Sequence, residues 1–321
     1  MKRIIFLYIV RNGDNLMAKK IYVESMISAP IDKLWQYTQS PDLHQQWDLR
    51  FSEITYIPKP TEDERQKFLY KTNIGFGISI AGEGESYGAK ESKGVLTSSL
   101  KFSSDQPISL ISEGSGFWRY IPTNEGVKFL TLYDYETRFG ILGRFVDRVA
   151  FRPLICWAMA WSFDALRLWL EQGIHPSNSI KRFAQTMIIR FSLFFIWFYQ
   201  GLIPKLLVQG SGELDIVRDI ALFHGYESII LATVGIMEML FGLMFILLRG
   251  KVYRLLHIIN IIVLLVLAIS VAAQPHILVA PFNPITLNIA VITISIVSLL
   301  SSSPTASASN CRRKATTDEV K

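Results

Sequence analysis

Glu238 is the residue with most to say about chemistry. It sits in an otherwise apolar run, ten residues from Ser228 and ten from Leu248. At about 1.5 Å per residue that is some 15 Å from either end of a membrane-length helix. A carboxylate at that depth costs about 2.5–3.5 kcal/mol, so it needs a partner, a proton or a functional reason to be there. The same depth count favours Asn260, Tyr199 or Gln200 as its partner over the shallower His257. Two roles remain open for this intramembrane polar site: a proton- or quinone-linked centre, or an interhelical hydrogen bond that holds the helices together. Lys205, at the end of the preceding apolar run, reads as a snorkelling lysine. His224 and Glu227 read as a solvated pair at a helix entry, because one His and one Glu do not make a metal site. Cys156 and Cys311 are isolated, with no CxxC and no Cys/His ligand set. Gly82-Glu83-Gly84-Glu85 and Gly114-Ser115-Gly116 do not follow a strand and open a helix, as a phosphate loop would; glycines in such strands mark bulges in a curved sheet. No catalytic, metal or cofactor motif is recognisable, so a non-catalytic role is favoured.

The elements around these residues fall into two halves. Half of the 321 residues are hydrophobic and 19% are charged, which excludes a disordered chain. Residues 181–321 carry 12 Lys/Arg against 7 Asp/Glu, and the rest of the chain is nearly balanced. Basic residues cluster at the ends of the apolar runs, so a membrane rather than nucleic acid accounts for the net charge of +6.

Residues 19–175 predict a soluble α+β domain. Lys20–Ser28 alternates as a strand, Ala29-Pro30 stops it, and Ile31, Leu34 and Trp35 follow at helical spacing. Ser40-Pro41-Asp42 opens a shorter helix through Trp47. Strand-like runs follow at Phe51–Ile57, Lys67–Ile74, Gly75–Glu85, Lys93–Phe102, Ile108–Tyr120 and Gly126–Arg138, with a hairpin tip at Asn124-Glu125-Gly126. After Gly140 a long helix carries the stripe Leu154, Trp157, Ala158, Trp161, Ala165 and Leu168, with Pro153 kinking or restarting it. A curved sheet around one long helix leaves an apolar cavity. Trp35, Trp118, Arg119, Trp157 and Trp161 are its candidate lining residues; Glu83, Glu85, Glu113, Asp134 and Arg138 are further strand residues whose facing depends on register.

With its Ala29-Pro30, Trp35, Ser40-Pro41-Asp42 and Trp47, the segment Lys20–Trp47 resembles the SRPBCC superfamily, the START-like or polyketide cyclase/dehydrase type of helix-grip fold. The resemblance covers roughly residues 19–172. It implies a cavity for a hydrophobic or amphipathic small molecule and no particular reaction, since the superfamily includes carriers, cyclases and regulators.

Residues 187–208, 228–248, 252–273 and 285–302 predict four membrane spans. Residues 176–186 form the linker and residues 303–321 a disordered tail. Basic residues before the first span, between the second and third and after the fourth place the termini and the N-terminal domain in the cytoplasm. Trp197-Phe198-Tyr199-Gln200-Gly201-Leu202-Ile203-Pro204-Lys205, Gly235-Ile236-Met237-Glu238 and Pro281-Phe282-Asn283-Pro284 resemble the DoxX-like membrane family over about residues 185–302. That family is named for a quinone-linked thiosulfate-oxidising system, and most relatives have no assigned activity. Residues 1–18 form an N-terminal extension whose apolar stretch is too short to span a bilayer and lacks a cleavage site; Met17 is an alternative start.

The fold expected is thus an α+β helix-grip (START-like) domain followed by an all-α four-helix transmembrane bundle in the cell membrane. Its expected partners are the bilayer and a hydrophobic small molecule, not nucleic acid. No cofactor is identified, a quinone is the candidate class, and a homo-oligomer is compatible with the chain.

Overall fold

The computed structural model describes residues 20–61, 64–208, 213–219, 225–272, 283–301 and 304–315. The expected Met17 start, His224, Pro281-Phe282 and the end of the tail lie outside them. The chain divides into a sheet unit, Met1–Ser179 with Thr305–Lys321, and a helical unit, Ile180–Pro304.

The sheet unit opens with β1 (Ile21–Ile27), ended by Ala29-Pro30. Pro30 caps α1 (Ile31–Gln39), and α2 (Pro41–Trp47) begins with Pro41, whose missing N–H costs nothing in a first turn. Six strands follow: β2 (Glu53–Tyr56), β3 (Gln66–Gly75), β4 (Ile78–Ser92), β5 (Val95–Ser103), β6 (Ile111–Thr123) and β7 (Gly126–Thr137). All pair antiparallel, in the order β1-β7-β6-β5-β4-β3-β2. The expected hairpin is present, with Thr123 paired to Gly126 around the Asn124-Glu125 tip. Then come α3 (Gly140–Val146), a π-helical turn (Asp147–Phe151) and α4 (Arg152–Gln172). Pro153 stands in the first turn of α4, so the restart it predicts takes the form of the wide turn before it. Gly173, at φ 68°, ends α4 in the left-handed conformation that glycine adopts without penalty. Of the expected stripe Trp161, Ala165 and Leu168 are buried and Trp157 and Ala158 partly so, whereas Leu154 is exposed.

The C-terminal segment differs from the disordered tail expected over 303–321. Residues 304–315 are ordered, and Arg312 pairs with Glu24 as a bridge on the open edge of β1, through N–H···O bonds of 2.9 Å in both directions. Asp164, fully buried on α4, accepts from the Ser307 N–H and the Asn310 side chain at 2.8 Å each. Arg312 also forms an ion pair with Glu24 at 2.6 Å. The Ser/Thr/Ala-rich composition suggested a free tail, but small residues are what a segment pressed against a sheet edge requires: Ala306, Ala308 and Cys311 are buried. The sheet unit therefore extends beyond the expected 19–175 to include this segment.

The helical unit contains α5 (Pro176–Leu202) from Ile180 onward, continued by a π-helical turn (Ile203–Leu207), then α6 (Glu213–Asp219), α7 (Glu227–Leu247), α8 (Gly250–Ala272) and α9 (Pro284–Leu300). Residues 176–186, expected as a linker, are the first turns of α5. Pro176–Leu207, Glu227–Leu247 and Gly250–Ile269 are long and apolar enough to cross a membrane; Pro284–Leu300 is shorter, at 17 residues. Leu193, Trp197, Phe245, Leu256, Leu264 and Val291 form the core.

Candidate functional site

Between the sheet and α4 lies a cavity of about 520 Å³. Phe68 and Phe102, which line it, belong to a row of alternating aromatic and glycine residues across the sheet. Phe68 on β3 pairs with Gly84 on β4, Gly84 with Phe102 on β5, Phe102 with Gly114 on β6, and Gly114 with Tyr135 on β7. A Cβ on Gly84 would lie 2.1 Å from Cζ of Phe68, and one on Gly114 2.1 Å from Cζ of Phe102. Each ring thus lies over the bare backbone of the next strand, and any larger residue would displace it. Gly82 makes room for Tyr70 in the same way. The glycines read from the sequence as bulge markers are mostly this cradle; the bulges fall nearby, between Ser86 and Ala89 and between Ile111 and Gly114. Phe102 stacks on Tyr133 with planes 1° apart, and Trp118, Phe151, Trp157 and Ala158 complete an apolar wall.

One corner is charged. After Trp47, itself buried and donating to the Tyr37 carbonyl at 2.9 Å, the chain turns so that Asp48 is buried and Arg50 lines the cavity. Asp48 is 1% exposed. It accepts from Arg50 Nε at 2.9 Å and Nη2 at 2.5 Å, from the Arg50 N–H at 3.1 Å, and pairs with His44 Nε2 at 3.0 Å. Burial alone would raise the Asp48 carboxyl; the Arg50 guanidinium and the His44 hydrogen bond outweigh it and hold the group well below the usual range. Burial lowers His44, outweighing the pull of Asp48, so the imidazole is neutral at pH 7. His44, Arg50 and the Tyr133 ring, which lies 5.8 Å from the guanidinium carbon, all line the cavity. Burial pushes the Tyr133 phenol upward, so it is a neutral hydroxyl. A second polar group, formed by Thr38, Gln39, Ser98 and Tyr120, satisfies itself: Thr38 Oγ1 lies 2.7 Å from the Tyr120 hydroxyl, which also accepts from Gln39 Nε2 at 3.0 Å.

Of the five residues expected to line the cavity, Trp118 and Trp157 do. Trp35 packs on Tyr120 instead, with ring centres 5.1 Å apart. Trp161 is fully buried in the core of α4. Arg119 is one step from Trp118 along β6, and alternation puts it on the other face, its guanidinium 4.8 Å from the Phe117 ring. Arg138 is used structurally, donating to the carbonyls of Ser104 and Gln106. Asp48, Arg50, His44 and Tyr133 were not foreseen; the only trace in the sequence is an acid and a base two apart directly after a tryptophan.

In the helical unit Glu238 pairs with Lys205, at 3.0 Å, and Lys205 also pairs with Glu213 at 2.9 Å. The expected partners are engaged elsewhere. Asn260, fully buried, accepts from Trp197 Nε1 and donates to Ser295 Oγ, both at 2.8 Å. Tyr199 is half-exposed. Gln200 contributes only its carbonyl, 3.4 Å from Lys205 Nζ. The depth count missed Lys205 because the π-helical turn at Ile203–Leu207 swings it inward, leaving it 8% exposed. There α5 and α7 meet at Gly201 and Gly235, where a Cβ on either would lie 2.3–2.6 Å from the other's carbonyl oxygen. The lysine stem passes Gly235 and reaches Glu238, one turn further on. Arg190, taken from the sequence as a flanking charge, is buried; its Nη1 donates to the carbonyls of Phe245 at 2.7 Å and Leu248 at 2.9 Å, closing the end of α7. His257 bonds Ser298 through Nε2 at 2.9 Å.

A family model described as the DoxX-like family matches residues 194–296. The membrane protein YndG of Bacillus subtilis (strain 168) is 46% identical over 231 residues, spanning 67% of this chain and 84% of YndG. Among solved structures, a STAR-related lipid transfer protein from Xanthomonas axonopodis is 15% identical, covering 49% of this chain and 90% of that one, with a TM-score of 0.39. The di-domain ARO/CYC StfQ from the steffimycin biosynthetic pathway is 13% identical over 48% of this chain and 52% of its own, with a TM-score of 0.36.

Proposed function

The chain belongs to the membrane-protein family of Bacillus subtilis YndG and carries a DoxX-like domain, and from that premise we propose that its sheet unit binds a hydrophobic small molecule, a lipid, quinone or similar amphiphile, at the cytoplasmic face of the membrane. The observation that carries this reading is the cavity of about 520 Å³, walled by Phe68, Phe102, Trp118 and Trp157 and charged only at one corner. Its size and apolar lining suit a molecule of a few hundred daltons. Arg50 and the neutral Tyr133 hydroxyl supply donors for one polar end, so the favoured ligand has an apolar body and a single carbonyl, hydroxyl or carboxylate head. The role is capture or presentation rather than catalysis. Asp48 is already saturated by Arg50 and His44, so it is not itself poised as a base.

The membrane topology we infer has four crossings. Ser179, before the helical unit, and Thr305, after it, both belong to the sheet unit. An even number of crossings fits that connection, and it assigns Pro284–Leu300 as the fourth span; 17 residues lie at the lower end of what a bilayer core needs. Arg249, Lys251 and Arg254 between α7 and α8, with Lys181 and Arg182 before the first span, support a cytoplasmic sheet unit.

The test is native mass spectrometry with organic extraction of the full chain, purified from its source membrane. A stoichiometric amphiphile that is lost from an Ala158→Phe variant, which fills the cavity, is the expected result. A folded wild-type protein that is empty and gains no thermal stability from a panel of lipids and quinones overturns the reading. A second reading, a proton- or quinone-linked reaction within the membrane, is favoured by one observation: Lys205 is shared by Glu238 and Glu213, leaving one negative charge in excess. A Glu238→Gln variant that keeps its thermal stability but loses a proton-dependent activity would support it.

A further inference from the structure

The charged corner of the cavity fixes where His44 carries its proton. Asp48 is ionised, and an ionised carboxylate only accepts hydrogen bonds. Its bond to His44 Nε2, at 3.0 Å, therefore requires the proton on Nε2. His44 is neutral, so Nδ1 holds a lone pair and can only accept. The ring is held in that orientation by Trp47, Phe51 and Trp118, whose ring centres lie 5.0, 5.3 and 4.9 Å from its own.

Three polar atoms at this corner are left over. His44 Nδ1, Arg50 Nη1 and the Tyr133 hydroxyl have no hydrogen-bond partner among the described residues, and all three residues line the cavity. His44 and Arg50 are held close together, because both bond Asp48 Oδ2. Elsewhere on the wall polar groups are used up. Tyr56, Tyr70, Thr72 and Ser109 each donate to a backbone carbonyl. The Thr38, Gln39, Ser98 and Tyr120 group bonds within itself. The corner thus presents one acceptor, on His44, and two donors, on Arg50 and Tyr133, inside an otherwise apolar cavity.

We propose that the polar head of the ligand is a hydroxyl, of an alcohol or a phenol, which donates to His44 Nδ1 and accepts from Arg50 and Tyr133, and that His44 selects it. This rests on the ligand-binding reading above and narrows it. A hydroxyl has one donor and two lone pairs, the complement of one acceptor and two donors. A carbonyl or ether oxygen only accepts, so it leaves Nδ1 orphaned in an apolar site. A carboxylate does the same and sets its negative charge against that lone pair. It also gains little from Arg50, whose charge Asp48 already balances. An ammonium accepts nothing from Arg50 and is repelled by it. His44 is a specificity residue in this arrangement; no bond is made or broken.

The experiment titrates the full chain in detergent micelles with nonylphenol, its methyl ether and nonylbenzoate, one skeleton with three heads. Adducts are counted by native mass spectrometry. The wild-type chain should hold one nonylphenol and prefer it to the ether by about tenfold or more, because the ether leaves a buried acceptor unpaired. Nonylbenzoate should bind no better than the ether. His44→Phe keeps a ring among Trp47, Phe51 and Trp118 and removes the acceptor, so the preference for the phenol should disappear while ether binding stays unchanged. Tyr133→Phe removes a donor that both heads use, so it should weaken both and leave their ratio. Partition into the micelle is common to all variants and cancels in these ratios. If His44→Phe fails to fold, nitrogen NMR of the wild-type chain labelled at histidine decides: the Nδ1 signal should shift with nonylphenol and stay with the ether. Equal binding of phenol and ether, preference for the benzoate, a preference that survives His44→Phe, or an Nδ1 signal indifferent to bound nonylphenol overturns the proposal and leaves the ligand-binding reading standing. If none of the three probes binds, the amphiphile extracted from the source membrane decides. An extracted ligand with a hydroxyl head supports the proposal, one without it overturns the proposal alone, and an empty protein overturns both readings.

Discussion

Replacing Arg50 by methionine tests the charged corner of the cavity. The substitution keeps much of the stem's volume and removes the guanidinium that gives Asp48 two of its hydrogen bonds, at 2.9 and 2.5 Å. Asp48 is 1% exposed and cannot recruit bulk water. Breaking a buried pair by removing one member costs about 3–5 kcal/mol. At about 2–4 °C per kcal/mol for a domain of this size, Tm should fall by about 6–20 °C. The assay is thermal unfolding of the full chain in nanodiscs, followed by tryptophan fluorescence. Asp48→Asn alone should be similarly harmful, since it strands the guanidinium. The double variant Asp48→Asn, Arg50→Met should cost far less than the sum of the two. The pH dependence has a definite sign. Asp48 is depressed in the folded state, so its contribution is present above about pH 3.9 and lost as pH falls further; His44 is also depressed, so its contribution is lost as pH falls below about 6.5. Wild type should therefore weaken below about pH 6.5. Without Arg50, burial is the dominant influence on Asp48 and raises its pKa, so the gap between variant and wild type should narrow from pH 7 towards pH 4. Additive single variants, or a gap that does not change with pH, would refute the reasoning.

Truncation after residue 304 should remove the bridge to β1 and leave Asp164 with Arg167 alone; with two backbone bonds and several charge-assisted ones lost, about 3 kcal/mol is expected, read as faster amide exchange over Ile21–Ile27. Lys205→Met should destabilise the helical unit by about 3 kcal/mol through the stranded Glu238, and adding Glu238→Leu should recover most of it, measured as detergent-phase melting. Gly84→Val should cost at least about 1–3 kcal/mol by driving the Phe68 ring off the strand, and Phe68→Ala in the same chain should relieve rather than add to the loss.

Much of the architecture is legible in the residues because it depends on local physics. Alternation marks the strands, Ala29-Pro30 and Ser40-Pro41-Asp42 mark the first helix boundaries, and membrane-length apolar runs mark the bundle. What was not legible depends on register or on distant contacts. Arg119 and Trp118 are neighbours, and only pairing with β7 decides which faces the cavity. Gly84 and Gly114 read as bulge glycines until cross-strand pairing sets Phe68 and Phe102 over them. Glu238 was recognised as a buried acid needing a partner, but Lys205 became that partner through a π-helical turn and a glycine-to-glycine crossing, neither of which a straight-helix depth count contains. The Asp48–Arg50 pair is two residues in an irregular segment with no periodicity to read.

The bridge between Arg312 and Glu24 also has a consequence in time. A chain emerging from the ribosome presents β1 through α4 first, with the edge of β1 open, and then all the helices of the helical unit. The segment that closes that edge is made only afterwards. Insertion into the membrane thus precedes completion of the sheet unit, and an unfinished chain carries an unprotected strand edge throughout. A copy stalled or cleaved before residue 305 would be inserted with that edge still open to pairing with another strand.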